Sequence, residues 1–86
     1  MKKLLHFTAE WCTPCKAMKP VIASFLEDNP KIEYEQIDVD KNPDMTKEHS
    51  ILSVPTFIAF YDGERIGSIG GAVPKARLEA LFTNYE

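Results

Sequence analysis

The apolar positions of the chain fall into runs of two different periods. Residues 3–8 (Lys-Leu-Leu-His-Phe-Thr) form a short, mostly apolar run without a breaker, as a strand covered on both faces requires. From Pro14 the pattern changes to Met18, Val21, Ile22, Phe25 and Leu26, the i, i+3, i+4, i+7, i+8 stripe of an amphipathic helix that stops near Asp28-Asn29-Pro30. Pro20 removes one backbone donor from that ladder and crowds the carbonyl of Lys16, which predicts a kink within one helix. Residues 32–39 read as a second strand. Ile32 and Tyr34 are out of phase with Ile37 and Val39, so a bulge or a late start is expected.

Asn42-Pro43-Asp44 reads as a helix start, with Asn42 as cap and Pro43 in the first turn, leading to one or two turns that end about His49. Thr56 to Tyr61 is a strand, Asp62-Gly63 is a strong two-residue hairpin signal, and Glu64 to Ile69 returns as its antiparallel mate before Gly70-Gly71. Pro74 opens a last helix with Leu78, Leu81, Phe82 and Tyr85 on one side. The sum is an α/β architecture: a four-stranded mixed sheet flanked by helices on both faces, built from a parallel βαβ half and an antiparallel ββα half. No repeat or low-complexity segment interrupts it.

At 86 residues there is room for one core, so residues 1–86 are read as a single domain. A hydrophobic content of 44% with 10% aromatics supplies that core and excludes a disordered chain. No run approaches the roughly 18 apolar residues that span a bilayer. The opening Met1-Lys2-Lys3-Leu4-Leu5 meets His6 and then Glu10 before a signal-peptide core develops, and a cytoplasmic protein without a membrane partner is the expectation. Thirteen acidic against ten basic side chains give a net charge of -3, which repels phosphate and argues against nucleic acid as a ligand.

Two cysteines cannot form the framework of a small secreted protein, and both lie in Cys12-Thr13-Pro14-Cys15. Between a strand and the start of a helix, the first sulfur faces unpaired backbone N–H groups and the positive end of the helix dipole, which favours thiolate over thiol. Cys12 is therefore the expected exposed nucleophile. Cys15, three residues on and on the same helix face, can reach back to break a mixed disulfide. The competing reading is half a zinc site, which needs about two more ligands; His6 and His49 are the only histidines and stand on separate elements. Dithiol redox chemistry is favoured, with no metal and no bound cofactor.

The segment Phe7-Thr8-Ala9-Glu10-Trp11-Cys12-Thr13-Pro14-Cys15-Lys16, with Pro20 after it, resembles the active-site segment of the thioredoxin family. Asp38-Val39-Asp40-Lys41-Asn42-Pro43 resembles that family's second-strand exit, Val54-Pro55-Thr56 its cis-proline loop, and Asp62-Gly63-Glu64 with Gly70-Gly71-Ala72 its hairpin and last turn. The likeness runs in order from about residue 4 to residue 82. It implies a thioredoxin-like fold that lacks the N-terminal strand and helix of longer thioredoxins. It also implies a cis Val54–Pro55 bond beside the cysteines, and a substrate-binding surface formed by Trp11, Val54, Pro55, Gly71 and Ala72. Lys16 reads as a solvated helix residue with a small electrostatic effect on Cys12 as the alternative.

Three positions depart from the family pattern. His6 stands where the family has a buried Asp beneath the cysteines, Gln36 where it has a lysine, and Thr13 where it usually has Gly. His6 is read in two ways, as a neutral packed histidine or as the catalytic proton acceptor for Cys15, titrating near neutrality.

The resemblance implies a monomeric thiol–disulfide oxidoreductase that reduces protein disulfides and is recycled by a thioredoxin reductase or an equivalent electron donor. A glutaredoxin-like, glutathione-dependent reductase and a thioredoxin-fold docking module are the alternatives.

Overall fold

A computed structural model describes residues 1–85. The central strand β1 (Lys2–Thr8) is buried along its last five residues, because it is covered on both faces. Alternation along the strand sends Leu4 into a cluster with Met18, Ile22, Phe25, Phe57, Ala59, Leu78 and Phe82, while Leu5 and Phe7 join Ile37 and Ile58 on the other side. His6, in phase with Leu4, faces the first of these layers.

Helical segments α1 (Thr13–Ala17) and α2 (Lys19–Asp28) follow β1. A single kinked helix was the expectation, and the structure instead separates two segments at Met18. The Met18 N–H donates to Cys15 O three residues back at 3.2 Å, and the four-residue ladder resumes with Ile22 N–H to Met18 O at 2.8 Å. Pro20 has no N–H to offer the Lys16 carbonyl, so the turn tightens where that donor is missing.

β2 (Glu33–Asp38) pairs in parallel with β1, from Lys3 opposite Glu33 to Thr8 opposite Asp38 without a shift. The late start is what the phase change reflects: Ile32 is buried just ahead of the strand, and Ile32 and Tyr34 pack toward α2 while Ile37 packs toward the opposite face. A strand sandwiched between two layers carries apolar residues in both phases.

α3 (Pro43–Glu48) lies on that opposite face, with Met45 against the Leu5–Ile58 cluster. Asn42 occupies the cap position but does not cap with its side chain. Its amide donates to Asp38 O at 3.0 Å, and the Asp38 carboxylate in turn accepts from the N–H groups of Asp40 and Lys41. The turn before α3 takes the polar groups the cap would have used.

β3 (Thr56–Tyr61) runs antiparallel to β1, and β4 (Glu64–Gly70) antiparallel to β3, giving the order β2-β1-β3-β4. Asp62 and Gly63 have φ of 51° and 83°, the two positive values of a type I′ turn. A shift that sequence reading did not anticipate lies between Ala59 opposite Gly67 and Phe60 opposite Arg65, which leaves Ile66 as the extra residue of a bulge. α4 (Lys75–Ala80) closes the α2 face with Leu78 and Phe82; Pro74 stands one residue ahead of it in extended backbone. No helix among the described residues is long and apolar enough to cross a membrane.

Candidate active site

β1 delivers the chain to Ala9, and three residues later Cys12 stands at the cap of α1 with extended backbone, φ -88° and ψ 105°. Its Sγ accepts the Cys15 N–H at 3.2 Å, so one of the orphan donors of the first turn points at sulfur. Pro14 fits the first turn because its missing N–H is one that no helix partner would use. Cys12 and Cys15 are joined by a disulfide with their Cα atoms 5.3 Å apart.

The expectation that Cys12 is the exposed sulfur is corrected by the disulfide form: Cys12 is 3% and Cys15 4% exposed. Ala9, Val39 and Val54 pack around the pair and cover both sulfurs. The asymmetry that remains is the backbone N–H aimed at Cys12 alone.

The loop opposite the disulfide brings together residues far apart in sequence. Val54 packs on the cysteines, the Val54–Pro55 bond is cis, and the Pro55 carbonyl accepts the Gly71 N–H at 2.8 Å. Gly71 takes φ of +90°, a conformation in which a side chain would be strained. Ala72 follows it at the surface, and Lys16 is exposed on α1. Trp11 is 67% exposed and its indole N–H donates to Asp40 Oδ2 at 2.8 Å. Asp40 lies in the segment that leaves β2, and sequence reading did not pair it with Trp11.

Beneath the disulfide a cleft of about 660 Å³ is lined by His6, Cys15 and Tyr34 among others. His6 is 3% exposed and lies nearly parallel on Phe57, with ring centroids 4.5 Å apart. Its Nδ1 meets the Tyr34 hydroxyl at 2.8 Å, and its buried Nε2 has no partner among the described residues. Burial pushes its pKa down to about 4, so the imidazole is neutral at pH 7. The expectation of titration near neutrality is therefore corrected in the disulfide form: the site withholds the water that would solvate an imidazolium. Burial likewise pushes the Tyr34 phenol up to about 12. Tyr34 is the residue of this cleft that sequence reasoning missed. The available signal was its position two residues before Gln36, on the same side of a strand paired to β1.

Among the described residues no group of three or more His, Cys, Asp or Glu side chains is placed to hold a metal. The redox group is the cysteine pair itself.

Fold and site together define a class: a mixed-sheet domain that carries a Cys-x-x-Cys disulfide at a helix start, facing a cis-proline loop. The chain belongs to the thioredoxin family, whose model, Thioredoxin, matches residues 1–84. It is similar to thioredoxin-2 of Pyricularia oryzae, 41% identical over 80 residues that make up 93% of this chain and 46% of that protein. It is also similar to the thioredoxin of Porphyra purpurea, 39% identical over 95% of this chain and 78% of that one. The chain thus spans about half the length of the first relative and over three quarters of the second. The oxidised crystal structure of mitochondrial thioredoxin 3 from Saccharomyces cerevisiae superposes with a TM-score of 0.87 at 38% identity, covering 93% of this chain and 76% of that one. Family and disulfide make the chain a thioredoxin-type thiol–disulfide oxidoreductase domain.

Proposed function

We propose that the protein reduces disulfide bonds of other proteins, with Cys12 as nucleophile and Cys15 as the resolving thiol. The observation that carries this reading is the Cys12–Cys15 disulfide at the start of α1 with Val54 packed against it. The Cys12 thiolate attacks one sulfur of the substrate disulfide, the other sulfur leaves as a thiolate that takes a proton from water, and a mixed disulfide remains. Cys15 then loses its proton and attacks the Cys12 sulfur. The Cys12–Cys15 bond forms, the substrate's second thiolate leaves, and two electrons have passed to the substrate.

His6 Nε2 is the proposed acceptor of the Cys15 proton. Burial lowers the pKa of His6 to about 4, so taking the Cys15 proton is uphill and His6 serves only as a transient acceptor, with its charge lasting no longer than the step.

Trp11, Val54, Pro55, Gly71 and Ala72 are the proposed substrate surface. The fixed loop offers backbone groups to an extended segment, as in strand addition. One solved neighbour, with TM-score 0.87 and 36% identity, concerns resolution of thiols in yeast mitochondrial 1-Cys peroxiredoxin through glutathione and thioredoxin systems. A peroxiredoxin is accordingly one proposed class of substrate here. The protein is proposed to act as a monomeric electron carrier in the cytoplasm, recycled by a thioredoxin reductase or an equivalent donor. A two-cysteine chain whose cysteines form one redox pair suits a reducing compartment.

The test is insulin reduction by wild type and Cys12→Ser, driven by NADPH and thioredoxin reductase or by glutathione. Activity with the reductase that disappears in Cys12→Ser is expected. Turnover with glutathione alone would indicate a glutaredoxin-like enzyme, and inactivity of the wild type with both would indicate a docking module.

A further inference from the structure

The two nitrogens of His6 are treated differently by the fold. Nδ1 is 2.8 Å from the Tyr34 hydroxyl, while buried Nε2 has no partner among the described residues. A neutral imidazole carries one proton, and the hydrogen bond made by one nitrogen decides whether the other is a donor or a lone pair. Tyr34 also has one proton. Its Oη lies 3.4 Å from Gln36 Oε1, a carbonyl oxygen that can only accept. When the phenol donates to Gln36, its oxygen must accept from His6 Nδ1–H, and Nε2 is left bare. When the phenol donates to Nδ1 instead, Nε2 carries a proton it cannot place and has no lone pair to offer.

We propose that Tyr34 is a positioning residue: it accepts the Nδ1–H of His6, donates its own O–H in a hydrogen bond to Gln36 Oε1, and so holds His6 in the tautomer whose Nε2 can take the proton of Cys15. This rests on the reading of His6 as the proton acceptor. The transfer converts the Cys15 thiol and bare Nε2 into a thiolate and an imidazolium, and the Nδ1–H bond to Tyr34 stays as it was. No donor has to reverse during the step. Burial holds the phenol in its protonated form far above neutral pH, which keeps its hydrogen bond to Gln36 available. The remaining charged groups of the cleft are Lys16 and Lys19 from α1 and α2, Glu10 and Lys41 in a 3.5 Å ion pair, and Asp38 at the end of β2. From β3 the facing side chain is Phe57, which brings no charge.

Two measurements test the proposal. The first follows reduced protein mixed with an aromatic disulfide that releases a coloured thiolate twice, once on attack by Cys12 and once on resolution by Cys15. Tyr34→Phe should slow the second release at least tenfold and leave the first within twofold, whereas a residue needed only for packing would change the melting temperature without splitting the two steps. The second is the imidazole nitrogen NMR of His6, which should report a protonated Nδ1 and a bare Nε2 in wild type, and a gain of the Nε2–H form in Tyr34→Phe. A second release within twofold of wild type in Tyr34→Phe, or a proton on Nε2 in the wild type, would overturn the proposal. The wild-type spectrum decides even if the variant folds poorly. His6→Ala separates the two levels: normal resolution there removes the proton-acceptor reading altogether, while slow resolution in His6→Ala beside normal resolution in Tyr34→Phe removes only the role of Tyr34.

Discussion

Acidification should expose the cost of burying His6. In the unfolded chain this histidine titrates at its ordinary value of 6.5, and in the folded protein burial lowers it to about 4. The unfolded state therefore takes up the proton first as pH falls, so the stability associated with neutral His6 is present above pH 6.5 and is lost progressively down to pH 4. The slope approaches about 1.4 kcal/mol per pH unit inside that window, which amounts to about 2 kcal/mol between pH 7 and pH 5 and about 3 kcal/mol over the whole interval. For a domain of this size, 2 kcal/mol corresponds to a fall in melting temperature of about 10 °C. Urea denaturation of the oxidised protein at pH 7 and pH 5, beside His6→Phe, isolates the effect. Every other ionisable group is common to the two proteins, and the phenylalanine keeps a ring against Phe57. Losing the Tyr34 partner shifts the variant by an offset that cancels between the two pH values. Wild type should lose about 2 kcal/mol more than the variant on acidification. Equal losses in the two proteins would mean that folded His6 titrates as it does in water, and the dry pocket would be refuted.

At the alkaline end the sign reverses. Tyr34 is raised from 10.0 to about 12 by burial, so its contribution is intact below pH 10 and lost as pH rises toward 12; melting curves at pH 9 and 11 should fall further for wild type than for Tyr34→Phe. Gly63→Ala should cost about 1 kcal/mol, because the added Cβ meets nothing within 4 Å yet must sit at φ +83°; an unchanged melting temperature would contradict the type I′ turn. One equivalent of iodoacetamide on the reduced protein should label Cys12, whose sulfur alone receives a backbone N–H at the cap of α1; mass spectrometry finding the label on Cys15 would reverse the assigned roles.

Much of the fold was legible because its signals are local. The hairpin at Asp62-Gly63 needs only residues that tolerate positive φ, the strands β1 and β3 need only unbroken apolar runs, and the placement of Cys12 and Cys15 follows from a Pro-containing turn at a helix start. These depend on neighbours within about four residues along the chain. The matched motifs from Phe7 to Ala72 carried the family, and with it the loop of Val54 and Pro55 beside the disulfide.

What tertiary structure alone decided was how those pieces are satisfied. The break at Met18, where Pro20 has no donor for Lys16, and the turn of Asn42 back to Asp38 are local effects that sequence reading placed only in part. Whether Cys12 is covered depends on Val39 and Val54, which arrive from other elements. His6 shows the limit most directly. Its residue type suggested titration near neutrality, but the desolvation that moves it to about 4, the Phe57 ring it stacks on and the Tyr34 hydroxyl 28 positions away along the chain exist only once β1, β2 and β3 lie side by side. A side chain's identity sets which protons it can hold, and the folded surroundings set at what free energy it holds them.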